Sequence, residues 1–369
     1  MRVGITGARG LIGWHLHAFL RTIPAVKVVV ADRHTFAEPE ALIQFVSGCD
    51  AVIHLAGMNR GDEGEVARTN VALTRQLSEA LWAAEGQPQV VFSSSIHIDR
   101  DTPYGISKRK SAQLLAEWAV QAGGTFTNLV LPGVFGEGGR PFYNSVVSTF
   151  CHQLAAGQIP EVQVNAPMQQ LHAQEVARLI FSVLTEKRTG EIRPPGHHLT
   201  VTDLLTHLRS LADAYAQNIF PALRDSFERD LFNTYRSYLF PHHFPVPLTI
   251  HRDARGELFE AVKGHSGGQS FLSTTRPGIT RGNHYHTRKV ERFLVVQGQA
   301  QIKLRRVLSN EIVCFEVDGA SPAYVDIPTL YTHNITNVGQ NDLTTLFWTN
   351  EFFDPAAPDT TAEEVALHA

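Results

Sequence analysis

A glycine-rich segment that directly follows the first apolar run constrains this chain most. Residues 3–6 predict a buried β-strand, and the letters GARGLIG at residues 7–13 follow at once. Glycine permits a tight turn from strand to helix and lets the backbone approach a pyrophosphate, which then lies at the helix N-terminus. The segment therefore predicts a dinucleotide-binding βα unit. The residues expected at the phosphates are Gly7, Gly10, Leu11, Ile12 and Gly13.

The first two thirds of the chain alternate short apolar runs with helical patterns. This alternation is typical of βαβ units, so we predict an α/β fold with a Rossmann-like parallel sheet. The predicted strands are residues 3–6, 26–31, 51–55, 90–92 and 128–131. The predicted helices are residues 11–20, 66–84, 111–121, 142–156, 175–184 and 201–216.

The last third of the chain follows a different pattern. The letters PHHFPVP at residues 241–247 contain three prolines and predict a linker. Beyond them, short β-rich runs are separated by turn residues, which is typical of an all-β sandwich or barrel. We therefore predict one domain over residues 1–244 and an all-β domain over residues 245–369. The β-rich runs are residues 271–274, 291–296, 300–304, 312–316, 324–327 and 343–349.

The bulk composition excludes several classes of partner. Of the 369 residues, 43% are apolar and 18% are charged, and the formal net charge of −4 comes without a block of like charges. Neither a nucleic acid nor a membrane is therefore expected as a partner. No apolar run reaches the roughly 20 residues of a membrane span and no signal peptide is recognisable, so a cytoplasmic location is expected. The cysteines at positions 49, 151 and 314 lie far apart and are interpreted as reduced thiols.

The second predicted strand ends at Asp32 and Arg33, where a Rossmann-type fold distinguishes its two cofactors. An acidic residue at this position binds the ribose 2′-hydroxyl of NAD, whereas an arginine accommodates the 2′-phosphate of NADP. The two residues therefore favour different cofactors. Between them we favour NADPH.

A tyrosine, a lysine and a serine form the candidate catalytic group. Tyr104 and Lys108 are four residues apart, so they share one face of the helix that begins there. A lysine ammonium beside a tyrosine stabilises the phenolate and lowers the pKa of the phenol, which can then exchange a proton with a carbonyl or an alcohol. A serine from the end of the fourth strand, where residues 93–95 are all serine, can bind the same oxygen.

These motifs resemble extended short-chain dehydrogenases/reductases that act on nucleotide sugars. The resemblance rests on the glycine pattern, the letters AVIHLAG at residues 51–57, Asn70, the serine run and the Tyr-x-x-x-Lys spacing. It implies that Ser95, Tyr104 and Lys108 are catalytic. The 4,6-dehydratases of the family carry Thr-Asp-Glu where this chain has Ser-Ile-His, so dehydration is not expected. Beside the glycine segment, the residues assigned to the cofactor are Asp32, Arg33, Leu55, Ala56, Gly57 and Lys108.

A second group of candidate residues lies in the predicted all-β domain. His284 and His286 are two residues apart, so on a strand they point to the same face, and Glu291 would come from the adjacent strand. Farther along the chain, His333 supplies a fourth ligand. Three imidazoles and one carboxylate suit a divalent first-row metal. Zinc is favoured, and manganese, iron or nickel fit the same ligands.

The spacing of these four ligands resembles the two motifs of the cupins. Residues 278–298 match the first motif at every defined position, and residues 328–337 match the second with one departure. Leu330 stands where glycine is common in that second motif, so an altered turn is expected. The resemblance implies that the C-terminal domain is a metal-binding cupin barrel. A metal-free sugar-epimerase barrel with His284 as its base stays open as the alternative.

The fusion of the two parts resembles bifunctional enzymes of capsular-polysaccharide synthesis, and HLAGMNR at residues 54–60 and PGITRGNHYH at residues 277–286 are among the matching segments. The resemblance implies a UDP-linked 4-keto-6-deoxy amino sugar as substrate, namely a UDP-2-acetamido-2,6-dideoxy-4-hexulose. The cupin part would invert C3, and the reductase would then reduce the C4 ketone with NADPH. The product would be UDP-2-acetamido-2,6-dideoxy-L-talose, on the route to UDP-N-acetyl-L-fucosamine. A homodimer is also expected from the resemblance.

Two alternatives to this bifunctional enzyme stay open. In the first, a monofunctional NADPH ketoreductase uses its cupin part only to bind metal and assemble subunits. In the second, the cupin part senses a sugar and controls the reductase. The base that would move the C3 proton is unassigned, and its candidates are Tyr285, Tyr331 and His265.

Overall fold

The computed structural model describes residues 1–84, 86–265 and 267–366. Its helices are α1 (Leu11–Leu20), α2 (Arg33–Ala37), α3 (Pro39–Ser47), α4 (Glu63–Ala83), α5 (Pro103–Ala122), α6 (Val146–Ala155), α7 (Ala173–Thr185), α8 (Val201–Ala216) and α9 (Ser226–Leu239), with a 3-10 turn at Ile96–Asp99.

The strands of the N-terminal part are β1 (Arg2–Thr6), β2 (Lys27–Ala31), β3 (Ala51–His54), β4 (Gln89–Ser95), β5 (Thr125–Leu131), β6 (Gly133–Phe135), β7 (Pro167–His172), β8 (Gly190–Ile192) and β9 (His197–Thr200). Those of the C-terminal part are β10 (Ile219–Phe220), β11 (Val246–Pro247), β12 (His251–Asp253), β13 (Gly256–Leu258), β14 (Lys263–Gly264), β15 (Gln269–Thr275), β16 (Thr280–Tyr285), β17 (Glu291–Gln297), β18 (Gln299–Arg306), β19 (Ile312–Asp318), β20 (Ala323–Ile327), β21 (Tyr331–Asn337), β22 (Leu343–Thr349) and β23 (Thr361–Ala362).

A six-stranded sheet organises the N-terminal part. Its strand order is β2-β1-β3-β4-β5-β8, and every neighbouring pair is parallel. The strand order reverses between β1 and β3, which is the place where sheets of this kind bind ligands beyond the strand ends. The predicted Rossmann-like parallel sheet is confirmed, and its five predicted strands correspond to β1 through β5.

Helices cover both faces of this sheet because alternate strand residues point in opposite directions. Ile53 and Val91 belong to a buried cluster that includes residues of α1 and α7. Their neighbours Val52 and Val90 belong to another cluster, which includes residues of α3, α4 and α5. Near-continuous apolar strands are what such double coverage requires.

The C-terminal part is built mostly of antiparallel strands, in agreement with the predicted all-β pattern. Two five-stranded sheets have the orders β11-β20-β17-β22-β15 and β19-β18-β21-β16-β23. Residues of both sheets share one buried apolar cluster, with Phe293 and Val325 from the first sheet and Leu304 and Ile335 from the second. Strand β21 is absent from the β-rich runs predicted from the sequence, and β16 is predicted only through the placement of His284 and His286 on a strand.

The chain forms two compact units, and their division differs from that of the predicted domains. One comprises Met1–Thr149 with Val162–Asp203, and the other comprises Phe150–Glu161 and the described chain from Leu204 onward. The predicted proline-rich linker lies within the second unit, where Phe244 is only 7% exposed and belongs, with the preceding Phe240, to the apolar cluster of that unit. The domain boundary at residues 244/245 stays a prediction.

Across residues 1–84, 86–265 and 267–366, no helix is both long and apolar enough to cross a membrane.

Candidate active sites

The loop between β1 and α1 has the shape that a pyrophosphate cradle requires. Gly7 has a φ of +72°, and a Cβ there would lie 2.7 Å from a backbone nitrogen that follows β3. A Cβ at Gly13 would collide with the carbonyl oxygen of Gly7, while the Gly10 nitrogen donates to that same oxygen at 3.0 Å. Leu11 and Ile12 open α1, whose first N–H groups lack partners within the helix. Both the close backbone approach and the free N–H groups fit a dinucleotide phosphate.

Asp32 and Arg33 follow β2 and have different surroundings. The Oδ1 atom of Asp32 accepts hydrogen bonds from the backbone nitrogens of His34 and Thr35, both at 3.0 Å, so this carboxylate caps α2. These bonds, led by that of Thr35, lower the pKa of Asp32. Arg33 is exposed and, among the described residues, has no carboxylate partner. The whole guanidinium is therefore available to a ligand at this strand end, whereas one oxygen of the Asp32 carboxylate is engaged in the cap.

The segment after β3 lies on the other side of the point where the strand order reverses. The nitrogens of Leu55 and Ala56 donate to the Thr6 hydroxyl at 3.2 and 3.1 Å, which fixes their backbone to β1. Asn70 binds both the nitrogen and the oxygen of the residue after Gly57, at 2.7 and 2.9 Å. A Cβ at Gly57 would lie 3.1 Å from the Asn70 Oδ1 atom. The predicted cofactor residues therefore border one end of the sheet.

Helix α5 places Tyr104 and Lys108 on one face, as predicted. Thr102 caps the helix by accepting from the nitrogen of residue 105 at 3.1 Å. The Lys108 Nζ atom lies 5.7 Å from the centroid of the Tyr104 ring and 4.8 Å from that of Phe92. It donates to the Ser93 carbonyl oxygen at 2.9 Å. The buried ammonium is thus held between the helix and the end of β4.

Burial shifts the pKa of both side chains in the direction that favours the uncharged form. It raises the pKa of Tyr104 to about 12, and the hydrogen bond with the Ser95 hydroxyl offsets this only in part. It lowers the pKa of Lys108 to about 8. The predicted lowering of the Tyr104 pKa by Lys108 stays a prediction, because burial and the Ser95 hydrogen bond are the causes of the shift here. Ser95 does lie beside the phenol, as predicted.

Asn59 contacts Tyr104 and was not predicted. The Tyr104 hydroxyl donates to the Asn59 Oδ1 atom over a long 3.4 Å. The next residue, Arg60, donates to the carbonyl oxygens of Phe142 and Tyr143, each at 2.5 Å. The letters HLAGMNR contain both residues, but nothing in their local pattern connects them to Tyr104.

The four predicted metal ligands converge from both sheets of the second unit. His284 on β16 lies directly opposite His333 on β21. Glu291 is the first residue of β17, in the other sheet, and His286 follows the end of β16. Each of the four offers one ligand atom, and these atoms all lie within 4.8 Å of one another. The sequence prediction that they lie together is in accord with this geometry.

The spacing of the ligand atoms fits a divalent ion. The Glu291 Oε2 atom lies 3.1 Å from the Nε2 atom of His286, 3.2 Å from that of His333 and 3.9 Å from that of His284. Ligands bound tetrahedrally to zinc at about 2.05 Å are separated by about 3.4 Å. The three distances from Glu291 bracket that value, and all four ligand atoms lie within 4.8 Å of one another.

The protonation states of Glu291 and His284 suit a cation, whereas at His286 burial is outweighed by the hydrogen bond with Glu291 and the nearby negative charge, which together raise its pKa. Burial alone would raise the pKa of Glu291, but hydrogen bonds with His286 and His333 hold it well below its usual range. Burial lowers the pKa of His284 to about 4, and the neighbouring histidines act in the same direction. A metal ligand must be a deprotonated carboxylate or a neutral imidazole, and these two residues are in those states near neutral pH.

Backbone carbonyls orient two of the imidazoles. The Nδ1 atom of His286 lies 2.6 Å from the carbonyl oxygen of Asp359, and that of His333 lies 3.1 Å from the carbonyl oxygen of Tyr331. Because a carbonyl can only accept, each Nδ1 carries a proton. The two Nε2 atoms lie within hydrogen-bond distance of Glu291 here, and each would present a lone pair to a bound metal. The Asp359 carboxylate in turn accepts from the backbone nitrogens of residues 287, 288 and 289. Asp359 was not predicted to contribute.

A cavity of about 380 Å³ opens beside the ligand group, and it includes His284 and Glu291 in its wall. None of the three predicted proton-transfer candidates belongs to the described residues that line it. Tyr285 is buried, Tyr331 packs against Phe240 with ring centroids 4.7 Å apart, and His265 is exposed. The other lining residues are Phe271, Leu272, Ser273, Arg281, Gly282, Phe293, Ile335 and Phe347.

The fold and the first site define the class of protein: a Rossmann-type dehydrogenase/reductase extended by a β-rich unit. Residues 3–197 match the NAD dependent epimerase/dehydratase family, and residues 251–361 match the polysaccharide biosynthesis C-terminal domain. The chain belongs to the NAD dependent epimerase/dehydratase family.

Relatives of known identity match nearly the whole chain. The UDP-2-acetamido-2,6-beta-L-arabino-hexul-4-ose reductase of Pseudomonas aeruginosa is 32% identical over 98% of both chains. The crystal structure of the capsular polysaccharide assembling protein CapF from Staphylococcus aureus is 34% identical, with a TM-score of 0.64 over 99% of this chain and 100% of that chain. A structure of CapF with the inhibitor 3-isopropenyl-tropolone is 32% identical, with a TM-score of 0.57 over the same shares.

Proposed function

We propose that this chain is a bifunctional C3-epimerase and NADPH-dependent C4-ketoreductase. Its substrate would be a UDP-2-acetamido-2,6-dideoxy-4-hexulose, and its product UDP-2-acetamido-2,6-dideoxy-L-talose. The observation that carries the proposal is the pairing of two sites in one chain: the Ser95, Tyr104 and Lys108 group in the first unit and the three-histidine, one-glutamate group in the second. The name of the Pseudomonas relative, a reductase of a UDP-linked 4-hexulose, supports the choice of substrate.

In the reductase, the phenol of Tyr104 would donate its proton to the C4 oxygen. Bound NADPH would supply the hydride that adds to C4. Ser95 would donate a hydrogen bond to the same oxygen and hold the carbonyl beside the phenol. Lys108, fixed by the Ser93 carbonyl, would place a positive charge near the phenolate that forms. The residues of this chain thus orient the ketone and provide the proton.

The choice of NADPH rests on the end of β2. The Oδ1 atom of Asp32 is engaged in capping α2, whereas Arg33 is exposed and free of a carboxylate partner among the described residues. An arginine at this position accommodates a 2′-phosphate. The phosphate loop has the close approach that a dinucleotide needs.

In the second unit, which we propose to be a cupin barrel, His284, His286, Glu291 and His333 would hold one divalent metal, most suitably zinc. Such an ion would polarise the C4 ketone as a Lewis acid. The inhibitor in the related CapF structure supports a metal site, because a tropolone carries two adjacent oxygens that chelate divalent ions. If the barrel were metal-free, His284 would be the base, since it is a neutral imidazole whose side chain is 25% exposed.

Chemistry sets the order of the two steps. A ketone at C4 acidifies the C3 hydrogen because the resulting carbanion delocalises onto the ketone oxygen. Loss of that proton and its return on the opposite face of the sugar ring inverts C3 without any change in oxidation state. Reduction removes the ketone, so inversion must come first.

Solvent exchange tests the proposal. The purified protein is incubated with the UDP-linked 4-hexulose in deuterium oxide, with and without NADPH, and the products are followed by NMR. We expect deuterium at C3 without NADPH and a C4 alcohol only with NADPH. Reduction without any deuterium at C3 would support a monofunctional ketoreductase whose second unit binds metal, joins subunits or senses sugar.

Two variants separate the sites. Tyr104→Phe should abolish NADPH oxidation and keep the exchange at C3. His286→Ala should lose bound metal and the exchange, while His198→Ala, a control at an exposed histidine of β9, should keep both. Full metal content in folded His286→Ala would refute the ligand assignment. The homodimer and the cytoplasmic location stay predictions, which sedimentation and cell fractionation can test.

A further inference from the structure

One arginine lines the cavity beside the ligand group without belonging to any assigned site. Arg281 lies on β16, three residues before His284, and its guanidinium is exposed at the cavity wall. On a regular strand, residues separated by three positions point to opposite faces. Arg281 and His284 would then not share a cavity.

A β-bulge brings them to the same face. The pairing of β16 with β21 runs Arg281 to Ile335 and Gly282 to Asn334, and then skips one residue to join His284 to His333. Partners 335 and 333 are two apart on β21, so Arg281 and His284 face the same side of the sheet. A bulge re-aims side chains in this way at functional sites.

The bulge is built into the local sequence. Gly282 has a φ of +106°, and a Cβ there would lie 2.8 Å from the His333 carbonyl oxygen, so only glycine fits. Asn283 has a φ of +61°, and its Oδ1 atom accepts from the side chain of Asn334 at 2.8 Å. Residues 282 and 283 therefore enforce the position of the arginine that precedes them.

Hydrogen bonds orient the Arg281 guanidinium but do not neutralise it. Its Nε atom donates to the Thr275 hydroxyl at 2.9 Å and one terminal nitrogen donates to the Thr274 carbonyl oxygen at 3.0 Å. Within the described part of the chain, no carboxylate lies within ion-pairing distance of it. Arg281 thus presents a fixed, uncompensated positive charge with donors to spare, as anion recognition requires.

Depth within the cavity indicates which part of a ligand meets Arg281. The side chains of His333, Glu291 and His284 are 0%, 9% and 25% exposed. Arg281, by contrast, is exposed to solvent. The ligand group therefore forms the floor, and Arg281 stands at the mouth. A nucleotide sugar that places its ring on the floor leaves its diphosphate at the mouth.

We infer that Arg281 is the diphosphate-binding residue of the second unit, which selects sugars linked to a nucleoside diphosphate. This inference rests on the proposed epimerase function for its substrate, but binding of the nucleotide tests it separately. The probe is UDP itself, measured by calorimetry on the full chain. Wild-type protein should bind two UDP per chain, one in each unit, and Arg281→Gln should bind one. Arg276→Gln, an exposed arginine before β16, is the matched control and should bind two.

The exchange assay provides the second readout. In Arg281→Gln we expect the KM for C3 exchange to rise about tenfold, which is the loss of one charge-assisted contact, with kcat within about twofold. Arg281→Lys keeps the positive charge but loses the planar guanidinium with its paired donors, so its KM should lie between those of the wild type and Arg281→Gln. One UDP site in the wild type, two in Arg281→Gln, or a fall in kcat with KM unchanged would each overturn the assignment. If the wild type shows no exchange, the proposed epimerase fails, and the UDP stoichiometry alone decides the role of Arg281.

Discussion

The buried positive charge of Lys108 should lower the free energy of unfolding of the protein. Its ammonium is 7% exposed, and burial lowers its pKa from 10.5 to about 8. At 1.36 kcal/mol per pH unit, this corresponds to about 3 kcal/mol of folding free energy lost at pH 7. Lys108→Met removes this cost but leaves the Ser93 carbonyl without its donor, which costs about 1–3 kcal/mol. We therefore expect Lys108→Met to be more stable than the wild type by about 1 kcal/mol at pH 7 and inactive as a reductase.

The pH dependence carries the sharper test. The unfolded lysine holds its proton up to about pH 10.5 and the folded one only up to about 8, so wild-type stability rises with pH between these values. At pH 9.5 about 1.4 kcal/mol of the cost remains, so the advantage of Lys108→Met should shrink by about 2 kcal/mol and reverse. Loss of the charge above pH 8 should also lower the reductase kcat/KM of the wild type.

Urea unfolding followed by tryptophan fluorescence measures this effect, because Trp14, Trp82 and Trp118 all belong to the first unit. Lys110→Met, an exposed lysine on the same helix, is the matched control and should change stability by less than about 0.5 kcal/mol at either pH. A stability difference between Lys108→Met and wild type that stays constant from pH 7 to pH 9.5 would refute the reasoning, since it would mean that Lys108 is not desolvated.

Three further predictions concern single residues. Asp359→Ala should weaken metal binding about 10- to 100-fold in a chelator competition, because the lost carboxylate holds the loop at residues 287–289 in place and with it the backbone carbonyl that orients His286; unchanged affinity would contradict that role. Leu330→Gly relieves a positive φ worth about 1–2 kcal/mol but removes a fully buried side chain worth about 2–5 kcal/mol, so thermal unfolding should show a net loss of stability, and a gain would be contrary to this balance. Arg33→Ser should raise the KM for NADPH about tenfold and leave that for NADH unchanged, and equal effects on both cofactors would exclude a 2′-phosphate contact.

The sequence predicted the parallel sheet well because its signals are local. Apolar runs alternate with amphipathic helices. A Cβ at position 7 or 13 would collide with the backbone, so glycine is required there for a local steric reason. Strand β21 was missed because most of its residues are polar, so no apolar alternation marks it. Strand β16, with the letters TRGNHY, shows no such alternation either and was inferred only from the spacing of His284 and His286. Helix α9 was missed although Asp225 caps it and its apolar residues recur with helical spacing.

Long-range positioning could not be predicted from local patterns. Asp359 lies 73 residues beyond His286, and no spacing rule connects a backbone carbonyl to a distant imidazole. Leu330 was expected to alter a turn, yet it takes a φ of +61°, the conformation for which glycine is common at this position. The turn is kept because Leu330 is only 2% exposed and its burial offsets the strain.

The raised pKa of Tyr104 is compatible with its role once the direction of the reaction is considered. A low phenol pKa helps the oxidation of an alcohol, where a phenolate must first accept a proton. In reduction the phenol donates, and the acceptor is an oxygen that becomes an alkoxide as hydride arrives. An alkoxide is more basic than a phenolate, so a phenol with a pKa of about 12 still transfers its proton downhill at that moment and is fully protonated beforehand. In the proposed mechanism, Lys108 would matter less for the acidity of the resting phenol than for stabilising the phenolate left behind, and that role would account for a buried charge that costs stability.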